Sequence, residues 1–320
     1  MDNSILNRIR GCLYGQAIGD ALGFGTESLT KLEVKTFYPD GLKNYNNFYQ
    51  DARRKGWPMG AWTDDTEMMR SILDCIVDNP VESISPTVLA PYFLTFYNNW
   101  GHTCGTLTRK SLNFAPPIYQ NDPISVSKMV WHLKGENNAP NGGLMRTSII
   151  GLWPYNVVEN AINVCQMTHF DKRCVCSCVI ASLIIYNLVW NNKSLEVGEL
   201  YAISSQYDSE CRKWIESAYK NNDISELHLD DKETLAYTYR ALSAALWAYF
   251  HATDFESGLL AIVNEGGDAD TNAAIACAIL GAKFGYSSIP CVYIEGLHNK
   301  QGYYNKVTSF ISAISSRYDT

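Results

Sequence analysis

Long apolar runs, clustered cations and paired cysteines are all missing from this 320-residue chain, and each absence removes a class of function. No stretch approaches the ~18 consecutive apolar residues of a membrane span, and Val179 to Trp190 is too short and too polar to cross a bilayer. Lysine and arginine total 26 against 33 aspartates and glutamates, for a formal charge of −7. The one compact basic run, Arg53-Arg54-Lys55, reads as a solvated loop. Nucleic-acid binding needs a wider cationic footprint to release counterions from phosphates, so no such partner is expected. The ten cysteines contain no CxxC pair, and Cys174, Cys176 and Cys178 have the spacing of neither a zinc site nor a disulfide framework. On a helix, Cys174 and Cys178 share a face as small buried apolar groups, which suits a reducing, cytoplasmic setting. Met1 to Arg10 is polar and lacks the apolar core of a secretory signal.

What is present is the composition of a globular protein, 46% hydrophobic and 18% charged. A chain of this length buries enough apolar surface to fold without a staple, so a metal site in it reads as chemistry. Helical periodicity marks Ile5 to Leu22, Thr66 to Val77, Thr87 to Asn98, Val157 to Met167, Arg173 to Val189, Lys232 to Phe250, Ser257 to Glu265, Thr271 to Phe284 and Tyr304 to Tyr318. Strand signals are few and do not alternate with helices. The expectation is an all-α fold, a compact orthogonal helical bundle forming a single domain over residues 1–320, with loops at Asn191 to Ser194 and Asn221 to Leu229. Glycines at 11, 15, 19 and 23 place a smooth stripe on one helix face for close interior packing. No heptad seam is visible, so a monomer is the default.

Two short segments concentrate the chemistry. Trp62-Thr63-Asp64-Asp65-Thr66-Glu67 and Gly266-Gly267-Asp268-Ala269-Asp270-Thr271 each stand directly before a helical run. Singly, either is an ordinary helix start, since Asp and Thr are favoured caps and Asp64 with Glu67 has capping-box spacing. Together they are harder to dismiss, because a cap needs one side-chain oxygen and each segment crowds two carboxylates into three residues. Such carboxylates repel unless a cation neutralises them, and hard oxygen ligands suit Mg²⁺, Mn²⁺ or Ca²⁺. Gly266 and Gly267 permit a backbone turn closed to other residues. Glu27, beyond the glycine-rich end of the first helix, could reach the cluster; alone it would be a surface residue.

The ordered set Gly15-x-x-x-Gly19-Asp20…Glu27, Thr63-Asp64-Asp65-Thr66, Asn141-Gly142-Gly143-x-Met145-Arg146, Thr168-His169 and Gly267-Asp268-x-Asp270-Thr271 resembles the ADP-ribosylglycohydrolase family. The resemblance implies an all-α fold with a binuclear metal cleft holding two Mg²⁺, with Mn²⁺ as a substitute. Thr63, Asp64, Asp65, Asp268, Asp270 and Thr271 would be ligands, and Glu27, Asp64 and Asp268 would carry catalysis. Asn141, Gly142, Gly143, Met145 and His169 would bind the substrate, with backbone N–H groups of the glycines near a phosphate. Taken alone, the glycines fit an ordinary turn and His169 a hydrogen-bonded core histidine. Arg146 fits a structural ion pair as well as a ligand contact. The chain departs from the family where a proline often follows the histidine, since Asp171-Lys172 stand there.

The implied reaction hydrolyses the bond between ADP-ribose and a target through an oxocarbenium-like sugar, with Glu27 exchanging protons. The expected partner is an ADP-ribosylated protein, with arginine as the leaving group, or a small ADP-ribose conjugate. Serine-linked or O-acetyl-ADP-ribose, or a non-catalytic ADP-ribose-binding protein, are the alternatives. A two-metal phosphoesterase would share the carboxylates but recruit histidines, of which there are six.

Overall fold

A computed structural model describes residues 1–101 and 103–318. Among them are 17 α-helices, four short 3₁₀ turns and no strand; the one β-bridge pairs Pro140 with Tyr237. Six helices position the site: α1 (Asn3–Gly23), α2 (Asp64–Asp78), α3 (Lys172–Trp190), α4 (Thr238–His251), α5 (Ala269–Phe284) and α6 (Lys300–Tyr318). Each of the nine periodic windows corresponds to a helix. The window from Lys232 starts too early, because residues 232–237 form turns and an extended segment before α4. There Asn141 N–H donates to the Ala236 carbonyl and Thr238 N–H to the Ala139 carbonyl, each at 2.9 Å, so the chain is tied to another loop instead of coiling.

The glycine stripe explains the centre of the molecule. A Cβ on Gly11, Gly15, Gly19 or Gly23 would lie 2.2, 2.0, 2.1 and 2.4 Å from the carbonyl oxygens of Gly281, Cys277, Ala273 and Ala269 respectively. Four-residue steps run in opposite directions on the two chains, so α1 and α5 are antiparallel with their backbones in contact. Both helices are buried nearly all round, which is why neither shows a strong polar face. The seam brings the C-terminal end of α1 to the N-terminal end of α5.

Buried apolar side chains form one contiguous cluster from Ile9 to Ile314. Nine of the ten cysteines are buried and none is in a disulfide, with Cys174 and Cys178 both inside α3 as the periodicity predicts. Helix α3 has the length and apolarity of a membrane span, but 72% of its most apolar window is buried inside the protein. Eight of the described helices escape the periodicity: Lys31–Phe37, Thr106–Leu112, Pro116–Asn121, Pro123–Leu133, Ser148–Leu152, Val197–Ser205, Cys211–Lys220 and Cys291–Glu295. All are short, and two of them start at a capping box, Thr30 with Glu33 and Glu196 with Glu199.

Candidate active site

Helix α1 fixes the first carboxylate segment through two buried polar residues one turn apart. Asp20 accepts from Thr63 N–H at 2.8 Å, Thr66 N–H at 2.9 Å and the Thr66 hydroxyl at 2.6 Å. Gln16 donates to the carbonyls of Asp65 (3.3 Å) and Met145 (2.9 Å). Asp20 therefore caps α2 from a distance, and Thr63, although at the N-cap position, makes no side-chain cap bond. Glu67 is occupied elsewhere, accepting from Trp62 Nε1 at 2.8 Å and pairing with Arg70. The capping-box reading is thus excluded. Asp64 and Asp65 are left free to face the cleft. Thr63 Oγ1 donates to Asp65 Oδ2 at 2.9 Å, while Asp65 Oδ1 is buried without a protein partner.

The second segment is shaped by backbone. Gly266 and Gly267 both have φ +73°, and a Cβ on either would stand 2.3 or 2.1 Å from the carbonyl oxygen of Leu29 or Leu229. Side chains are excluded there on both counts. Ser28 N–H donates to Gly267 O at 2.7 Å and Gly267 N–H to Leu29 O at 2.8 Å, which locks the turn beside Glu27. Asp268 occupies the N-cap of α5 without capping it, and Asp270 Oδ1 accepts from Thr271 N–H at 2.9 Å. As a result Glu27, Asp268 and Asp270 offer carboxylate oxygens within 4.8 Å of one another.

Both segments open on one cleft of about 390 Å³. Glu27, Asp64, Asp65, Asp268, Asp270 and Thr271 line it, opposite Asn141, Gly142, Met145 and His169. Thr63 and Gly143 stand behind this lining. Asn141 spends its amide on the carboxylates, donating to Asp268 Oδ2 at 2.6 Å. Residues Asn141–Arg146 form a 3₁₀ turn, and neither Gly142 nor Gly143 is left-handed, so the loop is not a nest. Glycine is favoured by crowding instead: a Cβ on Gly142 would be 3.0 Å from His169 Cε1, and one on Gly143 3.1 Å from Cys165 Sγ, so either neighbour would have to shift. His169 is buried, with Nδ1 at 2.7 Å from Thr168 Oγ1. Arg146 neither enters the cleft nor pairs with a carboxylate. Its guanidinium is fully buried, donates to Thr168 Oγ1 (2.7 Å) and Val164 O (3.0 Å), and lies over the Phe93 ring.

So many buried carboxyls cannot all ionise unaided. Burial, then Asp270, pushes Asp64 up to about 7. Burial raises Asp20 to about 7 as well, against its hydrogen bonds from Thr66 and Thr63. Asp65, Asp268 and Glu27 are driven well above the ordinary carboxylate range, burial first and neighbouring carboxylates next. Burial and the Arg146 charge hold His169 far below the ordinary imidazole value, hence neutral. An all-oxygen donor set, a partnerless Asp65 oxygen and uncompensated negative charge fit hard divalent cations. The residues present match the group that the sequence implies.

The geometry corrects one reading. Arg53-Arg54-Lys55 is solvated only in part: Lys55 is exposed as expected, but the two arginines are engaged. Arg53 Nε donates to Glu27 Oε2 at 2.8 Å, and its Nη2 pairs with Oε1. Arg54 is 2% exposed and donates to the carbonyls of Gly25 (2.8 Å) and Glu27 (2.5 Å).

The ADP-ribosylglycohydrolase family model matches residues 1–319, which includes every segment described above. The chain belongs to the ADP-ribosylglycohydrolase family. Its members are hydrolases of ADP-ribose linkages, and this chain is an enzyme of that class. An ADP-ribosylarginine hydrolase of Pseudomonas putida (strain GB-1) is 26% identical over 307 residues, covering 91% of this chain and 74% of that protein. The ADP-ribosyl-[dinitrogen reductase] glycohydrolase of Rhodospirillum rubrum is 23% identical over 308 residues, covering 93% and 92%. A solved ADP-ribosylglycohydrolase-related protein complex superposes with a TM-score of 0.75 at 22% identity, covering 98% of this chain and 100% of that one, which establishes the shared fold. In this family member the cleft has a wall that the sequence did not reveal, formed by Thr103, Thr106, Thr108 and Ala236. The one available signal was three threonines within six residues, Thr103 to Thr108, which carry no charge and no periodicity.

Proposed function

We propose that this ADP-ribosylglycohydrolase removes ADP-ribose from arginine side chains of modified proteins. It would act as a single-domain monomer in the cytoplasm, with neither nucleic acid nor membrane as a partner. The observation that carries the reading is the convergence on one cleft of two carboxylate-bearing helix starts whose own N-cap side chains make no cap bond. Thr63, Asp64, Asp65, Asp268, Asp270 and Thr271 would hold two Mg²⁺, with Mn²⁺ as a working substitute. The ions supply positive charge that orients sugar hydroxyls and acidifies water.

The remaining work falls to the chain's own residues. Gly142 lets the 141–146 turn approach His169 closely, which would give the diphosphate a neutral imidazole in place of cations. Asn141 orients Asp268 through its amide hydrogen bond. Cleavage places a water oxygen on C1 of the ribose and a proton on the departing guanidine nitrogen. Glu27, at the rim of the carboxylate group, takes the proton from water or passes it to the leaving group. Arginine is favoured over serine or O-acetyl linkages by the activity named for the P. putida relative. A binding protein without turnover would have no need of all six ligand positions. Mass spectrometry of products from arginine-, serine- and O-acetyl-linked ADP-ribose, each incubated with the protein and Mg²⁺, tests the reading. Free ADP-ribose should appear fastest from the arginine conjugate; faster release from either other conjugate overturns the assignment.

A further inference from the structure

Glu27 is the one member of the converging carboxylate trio that already has a cation. The Arg53 guanidinium grips both of its oxygens in a fork, while Asp268 and Asp270 each offer an oxygen within 4.8 Å of it. The grip is built and not incidental. Arg54, next in sequence, is buried and bonded to the carbonyls of Gly25 and Glu27 itself, and Asp51 Oδ1 accepts from the N–H groups of both arginines at 3.0 and 2.9 Å. The basic loop and the Glu27 turn are therefore one fastened unit, with Arg53 left half exposed at its tip. Its side chain can swing out without disturbing the anchor that Arg54 provides.

We propose that Arg53 is a positioning residue that acts as an internal counterion, occupying Glu27 until a divalent cation claims the Glu27–Asp268–Asp270 group. An ion that takes a Glu27 oxygen competes with the fork for that oxygen's lone pairs and sets its own positive charge against the guanidinium, so binding of the ion displaces Arg53 toward solvent. The inference rests on the divalent-cation reading of the cleft. It goes beyond that reading by naming the competitor and the direction in which its removal moves affinity. Without Arg53 the trio binds the ion more tightly, whereas a merely structural arginine would leave affinity unchanged or lower it.

The test is calorimetric titration of MgCl₂ into the full-length, EDTA-stripped protein, as wild type, Arg53→Ala, Arg53→Gln and Arg53→Lys. Because Arg53 is half exposed and screened, the expected gain is modest: roughly three- to tenfold tighter Mg²⁺ binding in Arg53→Ala and Arg53→Gln. Arg53→Lys, which keeps the charge but loses the fork, should fall between wild type and the neutral variants. Thermal unfolding gives a second reading. Mg²⁺ should raise the melting temperature of Arg53→Gln by more than it raises that of wild type, and Arg53→Gln keeps this measurable if the alanine variant folds poorly. Equal or weaker Mg²⁺ binding in both neutral variants overturns the proposal while leaving the divalent site standing. A wild type that binds no Mg²⁺ overturns the site and the proposal together.

Discussion

The two carboxylate-bearing helix starts do the same job by different means. At Thr63–Asp65 the backbone is held from outside by a side chain, Asp20, which accepts three hydrogen bonds and so releases the local carboxylates from capping. At Asp268–Thr271 no such side chain is present; two left-handed glycines turn the chain and backbone bonds to Ser28 and Leu29 lock it. The first start can be damaged by deleting one carboxylate elsewhere, the second by adding a single methyl group. In both, the chain is held in place chiefly by groups other than the carboxylates that face the cleft, although Asp270 also accepts from Thr271 N–H. That separation lets Asp64, Asp65, Asp268 and Asp270 be chosen for chemistry.

Ways of breaking this symmetry rank by expected size. Asp64→Asn and Asp270→Asn each remove a carboxylate from one start, and each should lower the rate of ADP-ribose release at least about a thousandfold, with EDTA doing the same to wild type. Gly267→Ala forces a Cβ against the Leu229 carbonyl at φ +73° and should destabilise the fold by about 3 kcal/mol, read by denaturant unfolding. Asp20→Asn keeps the shape but turns one acceptor into a donor facing buried N–H groups. A loss of about 2 kcal/mol is expected, confined to stability and to the geometry of the first start. An unchanged midpoint for Asp20→Asn would show that α2 needs no cap from α1.

A pH effect sharpens the comparison further. Asp20 and Asp64 titrate near 7 in the folded protein and near 4 when unfolded. The folded state thus holds these protons more tightly. Their contribution to stability is complete below about pH 4 and is lost as pH rises through about 7. Bound divalent cations oppose the loss by neutralising the ionised forms. The gap between melting temperatures with and without Mg²⁺ should widen by on the order of 5 °C from pH 5 to pH 8. A gap that narrows over this range would contradict the assigned cause.

Much of this was legible because local rules and global structure agree. The four-residue glycine repeat could only mean a close helix seam, and Gly266-Gly267 could only mean an unusual turn. Other features were invisible for a physical reason: they depend on what lies opposite. Arg53 and Arg54 look solvated in sequence because nothing near them announces Glu27, 26 and 27 residues away. Asp20 shows no sign of being the distant cap of α2. Arg146 reads as a ligand contact or an ion pair, yet it is consumed by Thr168, Val164 and a phenylalanine face. Asn141 lines the cleft as a substrate contact would, but its hydrogen bond to Asp268 could not be foreseen. The early start assigned to the helix at Lys232 overlooked a β-bridge, which periodicity cannot register.

The most direct test of the central claim is to count ions. Equilibrium dialysis with Mn²⁺, read by metal analysis, should give two ions per chain for wild type and fewer for both Asp64→Asn and Asp270→Asn, because each start contributes to the same cleft. Wild-type protein that retains no ion, or variants that retain as many as wild type, would contradict the account.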